Sequence, residues 1–177
     1  VMSDCDVDAS NLHLLLSPLE IIESYKYYGG KKAKINYQKC TNCGICKDKC
    51  RFEAIDFKEG KYVINEYACE GCKLCVLTCP EEAINLIENL AGNYYKSRCS
   101  RGILVHGDLK PGEETSGGLV AEVRKKSYSE AEKSKKDVII IDGAPGIGCP
   151  ATSSVAGVTL AVVVTEPTLS GFHDLKR

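Results

Sequence analysis

Hydrophobic and polar positions alternate most regularly after residue 100. Gly102-Ile103-Leu104-Val105-His106 is a short apolar run that suits a buried strand. The stretch from Gly112 to Lys136 is polar and helix-favouring once past its glycines, with Leu119, Val120 and Val123 spaced as one apolar stripe. Val138-Ile139-Ile140-Ile141 is continuous, β-branched and closed by Asp142-Gly143-Ala144-Pro145-Gly146. Such a run predicts a central parallel strand covered by helices on both faces. Residues 150–157 predict a short helix opened by Pro150, and Leu160-Ala161-Val162-Val163-Val164 a second buried strand. Thr165-Glu166-Pro167-Thr168 closes that strand, and Ser170 is placed to cap a helix from about Gly171. Strands alternating with helices predict an α/β fold on a parallel sheet of three or four strands.

Earlier in the chain the pattern changes. Residues 1–34 open on Val1-Met2-Ser3 and an acidic turn, Asp4-Cys5-Asp6-Val7-Asp8, whereas residues 35–88 carry short runs punctuated by cysteine. Residues 89–177 return to the strand–helix pattern. The middle segment repeats itself: Cys40, Cys43, Cys46 and Cys50 recur as Cys69, Cys72, Cys75 and Cys79, each set spaced C-x2-C-x2-C-x3-C and followed by an Ala-Ile pair, Ala54-Ile55 or Ala83-Ile84. One supersecondary unit is used twice.

Composition narrows the chemistry. Among 177 residues, 23 basic and 24 acidic side chains leave a net charge of −1, too little positive excess for nucleic-acid binding through bulk charge. Trp is absent and Phe occurs three times, which argues against aromatic platforms for stacked bases. No apolar run approaches the ~20 residues of a membrane span, and no signal peptide is read at the start. Eleven cysteines, eight of them between Cys40 and Cys79, point to metal in a reducing, cytoplasmic compartment rather than to disulfides.

The spacing suits a [4Fe–4S] cube, whose four irons each take one thiolate. Three cysteines at two-residue gaps wrap one side of a cube, while the fourth sits too far round and reaches the other cube. Cluster one is therefore assigned Cys40, Cys43, Cys46 and Cys79, and cluster two Cys69, Cys72, Cys75 and Cys50. Gly44 and Gly71 give the backbone room beside the sulfurs. Structural zinc also uses C-x2-C pairs, but not this doubled eight-cysteine pattern. Arg51 stands where the second run has Pro80, and a cation there favours the reduced cluster. Lys26, Lys31, Lys32, Lys34 and Lys39 read either as a solvated linker or as a docking patch for an acidic redox partner. Residues 35–88 resemble a bacterial-type two-cluster ferredoxin, which implies electron relay.

Asp142 ends an apolar strand, where a carboxylate can order Mg²⁺ or cap the next helix. Gly146 offers an amide on a turn suited to a γ-phosphate, and Asp6 lies on another loop at the same sheet edge. Together, Asp4 to His13 and Ile139 to Pro150, followed by Val163 to Thr168 and Gly171 to Leu175, resemble the MinD/ParA-type P-loop ATPases, relatives of the nitrogenase iron protein. One subfamily of these carries a two-cluster ferredoxin inserted after the first switch. The resemblance implies a partial SIMIBI-type sheet, ATP and Mg²⁺ in the intact protein, a homodimer, and roles for Asp6 and Asp142 in the catalytic and metal shell and for Gly146 at the γ-phosphate. No G-x-x-x-x-G-K-[ST] loop occurs, so the chain reads as part of a longer protein and is not expected to hydrolyse ATP alone. A scaffold for iron–sulfur assembly and a plain electron-transfer module are the alternative functions. Cys5 and Cys149 fall in the two switch-like loops, and Cys99 has no assigned role.

Overall fold

Apolar stripes at helical spacing become helices in this chain, whereas its β-branched runs become strands with the departures described below. The computed structural model describes residues 1–17, 19–114 and 116–176. In chain order the elements are β1 (Met2–Asp4), α1 (Leu12–Leu15), β2 (Glu20–Tyr28), β3 (Lys32–Ile35), α2 (Ile45–Lys49), β4 (Ile55–Lys58), β5 (Lys61–Ile64), α3 (Leu74–Thr78), β6 (Ile84–Ile87), β7 (Leu90–Cys99), β8 (Gly102–Leu109), α4 (Ser116–Lys133), β9 (Ile140–Asp142), α5 (Cys149–Val155) and α6 (Leu169–Leu175). They fall into two units, Val1–Tyr27 with the residues from Gly92 on, and Tyr28–Ala91.

The first unit is built on a five-stranded sheet of order β2-β7-β8-β1-β9. Its core forms where α4 crosses it. Leu119, Val120, Val123, Ser127 and Ala131 recur at three- and four-residue steps and are buried on one stripe of the helix. That stripe lies over the face of the sheet that carries Ser3, whose hydroxyl accepts a hydrogen bond from Ser127 at 3.0 Å. A Cβ at Gly107 of β8 would meet Val123 and Leu119. Farther along the same helix, Lys126 and Glu130 reach Glu23 of β2 and Lys96 of β7. On the opposite face His13 of α1 stacks on His106, which is hydrogen-bonded to Ser97 at 3.1 Å.

Several sequence expectations need correction. The sheet is mixed: β1 pairs in parallel with β8 and β9, but β7 and β8 form an antiparallel hairpin through Cys99↔Gly102. Its two-residue turn, Ser100-Arg101, lacks the Asn-Gly or Asp-Gly signature that marks such turns in a sequence. The run at Val138–Ile141 is not a central strand. Its strand part, β9, lies at the sheet edge, where among the described residues it pairs with β1 alone, and Val138 and Ile140 are 64% and 65% exposed. Leu160–Val164 is not a strand: it finds no ladder partner among the described residues, and Val164 is 89% exposed. Thr168, not Ser170, caps α6, its hydroxyl accepting the Gly171 amide at 3.0 Å. Thr115, within the predicted helical stretch, lies outside the described residues.

The second unit shows the 29-residue repeat in three dimensions. The halves β3-α2-β4 and β5-α3-β6 exchange strands, so that β3 pairs with β6 and β4 with β5, both antiparallel. The registers are equivalent: Ile35↔Ile84 maps onto Ile64↔Ile55, and Lys32↔Ile87 onto Lys61↔Lys58. The joints repeat too. Asn36 donates its amide to Ala83 at 2.7 Å, and Asn65 to Ala54 at 2.8 Å. Ala33, Ile35, Ala54, Ile55 and Ile84 make a small core together with two of the cysteines, Cys46 and Cys69.

Candidate metal centres

Each cysteine loop is bent by two left-handed residues two positions apart. They are Asn42 (φ 58°) and Gly44 (φ 84°) in the first run, and Gly71 (φ 61°) and Lys73 (φ 70°) in the second. Gly71 is required, because a Cβ there would lie 1.9 Å from the Lys31 carbonyl oxygen. Asn42, its counterpart, instead donates its side-chain amide to the Gly60 carbonyl at 3.3 Å. The bends lead into α2 and α3, each carrying the third cysteine at its second residue, Cys46 or Cys75. The fourth cysteine, Cys50 or Cys79, follows as the helix C-cap in extended conformation.

That extended step turns the fourth side chain toward the other repeat. Cys40, Cys43, Cys46 and Cys79 line one recess, and Cys69, Cys72, Cys75 and Cys50 line a second. The structure thus brings together the two sets of four that the spacing nominates. Each recess encloses about 350 Å³, including space open to solvent. All eight cysteines are free of disulfides. Among the described residues no three His, Cys, Asp or Glu side chains converge as they would around a single ion, whereas thiols spaced around a recess suit a cofactor containing several metal atoms.

The backbone is aimed at sulfur. Amides of Ala54 and Ala83 donate to Cys50 Sγ and Cys79 Sγ at 3.4 and 3.3 Å, and the Ala33 amide donates to Cys69 Sγ at 3.4 Å. Hydrogen bonds of this kind stabilise negative charge on sulfur. Burial acts the other way, pushing the Cys75 thiol up to about 11 and the Cys46 thiol upward as well. A thiolate in such a place needs a bound cation to exist at neutral pH, which metal supplies. The donor set therefore fits iron–sulfur clusters.

In the other unit, β1 and β9 end in register at Asp4↔Asp142, and the Cys5 amide donates to the Asp142 carbonyl at 2.8 Å. Asp6 follows two residues on. Burial first, then repulsion from Asp4, raises the carboxyls of both Asp6 and Asp142, with Asp8 and Asp142 adding to the effect on Asp6. Asp4 has a part that the sequence pattern does not single out. It is fully buried and accepts Ser10 Oγ at 2.9 Å and the amides of Leu12 and Asp6 at 3.0 and 3.2 Å, so it pins the loop. In Asp4-Cys5-Asp6-Val7-Asp8 nothing in the sequence separates the buried carboxylate from the others. Gly146 (φ 85°) lies on an exposed turn with open space around it. Cys5 is buried and its thiol is pushed up to about 11, mainly by burial. Cys99 is buried too, whereas Cys149 is exposed at the start of α5.

Residues 33–86 match the family model of a 4Fe-4S dicluster domain. The match supports a ferredoxin-like iron–sulfur domain in this part of the chain. Over 182 aligned residues, covering all of this chain, it is 40% identical to the uncharacterized protein MJ0578 of Methanocaldococcus jannaschii and spans 60% of that protein's length. A second relative, the uncharacterized protein MJ0579 of the same organism, is 29% identical over 86 residues, covering 49% of this chain and 30% of the relative. No helix of the described residues is long and apolar enough to cross a membrane.

Proposed function

We propose that residues 28–91 relay electrons between two [4Fe–4S] clusters, one held by Cys40, Cys43, Cys46 and Cys79 and the other by Cys69, Cys72, Cys75 and Cys50. The observation that carries this reading is the exchange of the fourth cysteine between recesses, which makes each site depend on both repeats. Each cluster, when bound, takes up and gives back one electron without breaking a bond. The chain's part is to hold eight thiolates, direct three amides at sulfur and keep the inner cysteines dry. Full cysteine ligation argues against a labile cargo, because a transferable cluster needs an exchangeable ligand. Anaerobically purified protein should contain about eight iron and eight sulfide per chain and show the EPR of two interacting reduced clusters. Zinc in place of iron, or no sulfide after reconstitution, would overturn the reading.

A second reading concerns the other unit. The carboxylates of Asp4, Asp6 and Asp142 gather at the carboxyl ends of two adjacent parallel strands, the edge where α/β sheets bind ligands. This placement supports a MinD-like ATPase of which the chain is a part, with Asp6 and Asp142 in the Mg²⁺ shell, Gly146 near the γ-phosphate, and a homodimer that closes on ATP and passes electrons to a partner protein. The test is Mg·ATP binding by the longer protein. Binding should be weakened at least tenfold by Asp142→Ala, and an unchanged affinity would remove the nucleotide from the account.

A further inference from the structure

The internal repeat makes each recess the control for the other. Most lining positions exchange like for like: Ile35 for Ile64, Ala83 for Ala54, Ile84 for Ile55. Charges differ. The glutamates balance, since Glu81 lines the first recess and Glu70 the second. Lys39 beside Cys40 is offset by Lys49 beside Cys50. Lys47, which flanks Cys46 of the first recess, is paired with Asp56 at 3.5 Å.

Among the residues that line a recess or flank one of its cysteines, two cations are left, one lining the second recess and one flanking its Cys50. Lys73 lines it where the first has Gly44, and Arg51 follows Cys50 where Pro80 follows Cys79. Sulfur solvation points the same way. The fourth ligands are matched, Cys50 with the Ala54 amide and Cys79 with that of Ala83. Cys69 of the second recess also accepts the Ala33 amide, and among the described residues no backbone amide does this for its counterpart Cys40. Net charge and hydrogen bonds to sulfur are two of the factors that set a cluster's potential. Cysteine exposure does not distinguish the sites, since each has one exposed ligand, Cys43 or Cys72.

We infer that Lys73, Arg51 and the Ala33 amide make the second site the higher-potential member of an unequal pair, so that a single electron on the domain rests there. This rests on the two-cluster reading above. An external one-electron donor reduces one cluster from the 2+ to the 1+ state, and no bond or proton changes hands. Both cations are exposed, which keeps the preference modest, about tenfold, or about 59 mV for a one-electron couple.

The test is stepwise reduction of the full chain with mediators, followed by EPR. The native protein should take its first electron as the spectrum of one isolated cluster, with spin–spin splitting only at the second step. Lys73→Gly with Arg51→Gln should lower the upper step and leave the lower one in place, bringing the two together. Gly is compatible with the left-handed backbone at 73, and Arg51→Gln alone should give part of the shift if the double variant is unstable. Coincident native steps in protein holding about eight iron would overturn the inference and leave the relay intact. A variant that moves the lower step instead, or neither, would also overturn it. Protein without iron and sulfide would overturn both.

Discussion

At the residue scale, Gly44 and Gly71 are both left-handed yet differ in why they are glycine. At Gly71 a Cβ would strike backbone, the Lys31 carbonyl, whereas at Gly44 it would meet the Tyr62 hydroxyl at 2.7 Å, the end of a movable side chain. Left-handed backbone alone costs an L-residue about 1–2 kcal/mol, and Asn42 and Lys73 show that these loops bear it. Gly44→Ala should therefore keep its iron at a cost of about 1 kcal/mol, part of it recovered by Tyr62→Phe. Gly71→Ala adds a backbone clash and should fail to hold a full iron complement, measured as iron and sulfide per chain beside the thermal midpoint. Charge gives a second prediction. Glu23 accepts hydrogen bonds from Lys126 at 2.6 Å, from Tyr25 and from Lys96 at 3.3 Å, which hold its carboxyl down at about 2. Glu23 thus binds its proton less readily folded than unfolded. Its contribution is complete above about pH 4.5 and is lost as pH falls toward 2. The carboxylate is 35% exposed, so solvent screening leaves about 1 kcal/mol of the pairing. The gap in urea midpoint between native protein and Glu23→Gln should close over that window, and a constant gap would count against the pairing.

At the element scale, α5 is held from outside. It is a seven-residue helix, and Arg124 of α4, 9% exposed, donates to the carbonyls of Ser153 and Ala156 at its C-terminal end, the latter at 2.5 Å. Arg124→Met keeps much of the side-chain volume but removes both bonds. It should cost about 2–3 kcal/mol and open the α5 amides to hydrogen exchange well before those of α4; uniform exchange across both helices would refute this. The Arg124 link also shows what a sequence conceals. The α4 stripe of Leu119, Val120 and Val123 was legible because helix periodicity is local. So were the repeat and its eight cysteines, since ligand spacing is fixed by the loop that carries it. The position of Ile140 at a sheet edge was not legible, because a β-branched run reads alike whether one or two strands pair with it. Nor was the role of β2, whose Glu20-Ile21-Ile22-Glu23 opening shows no clean alternation and which joins the sheet beside β7. At the candidate metal centres each set of four cysteines nominated by the spacing lines one recess. The amides aimed at Cys50, Cys69 and Cys79 depend on backbone direction, which residue identity does not record.

At the scale of the whole molecule, the two units fold on different grounds. The first has an apolar core of its own in Leu104, Val105, Leu119, Val120 and Val123, each fully buried with no cysteine needed among them. The second buries only small and branched residues and counts Cys46 and Cys69 within its core, with Cys40, Cys50, Cys75 and Cys79 packed against it. A domain of this size with so little apolar volume depends on its staples. Empty, its recesses would hold buried thiols, and each cysteine set draws on both repeats, so loss of the metal loosens both halves at once. Removing iron with a chelator under reducing conditions should therefore abolish amide protection across residues 28–91 in one step while α4 and β8 stay protected. Hydrogen exchange read by mass spectrometry separates the outcomes. Protection that survives in β3–β6 without iron would show that the strand exchange alone sustains the second unit. Loss in α4 together with the second unit would show that the first cannot stand without it.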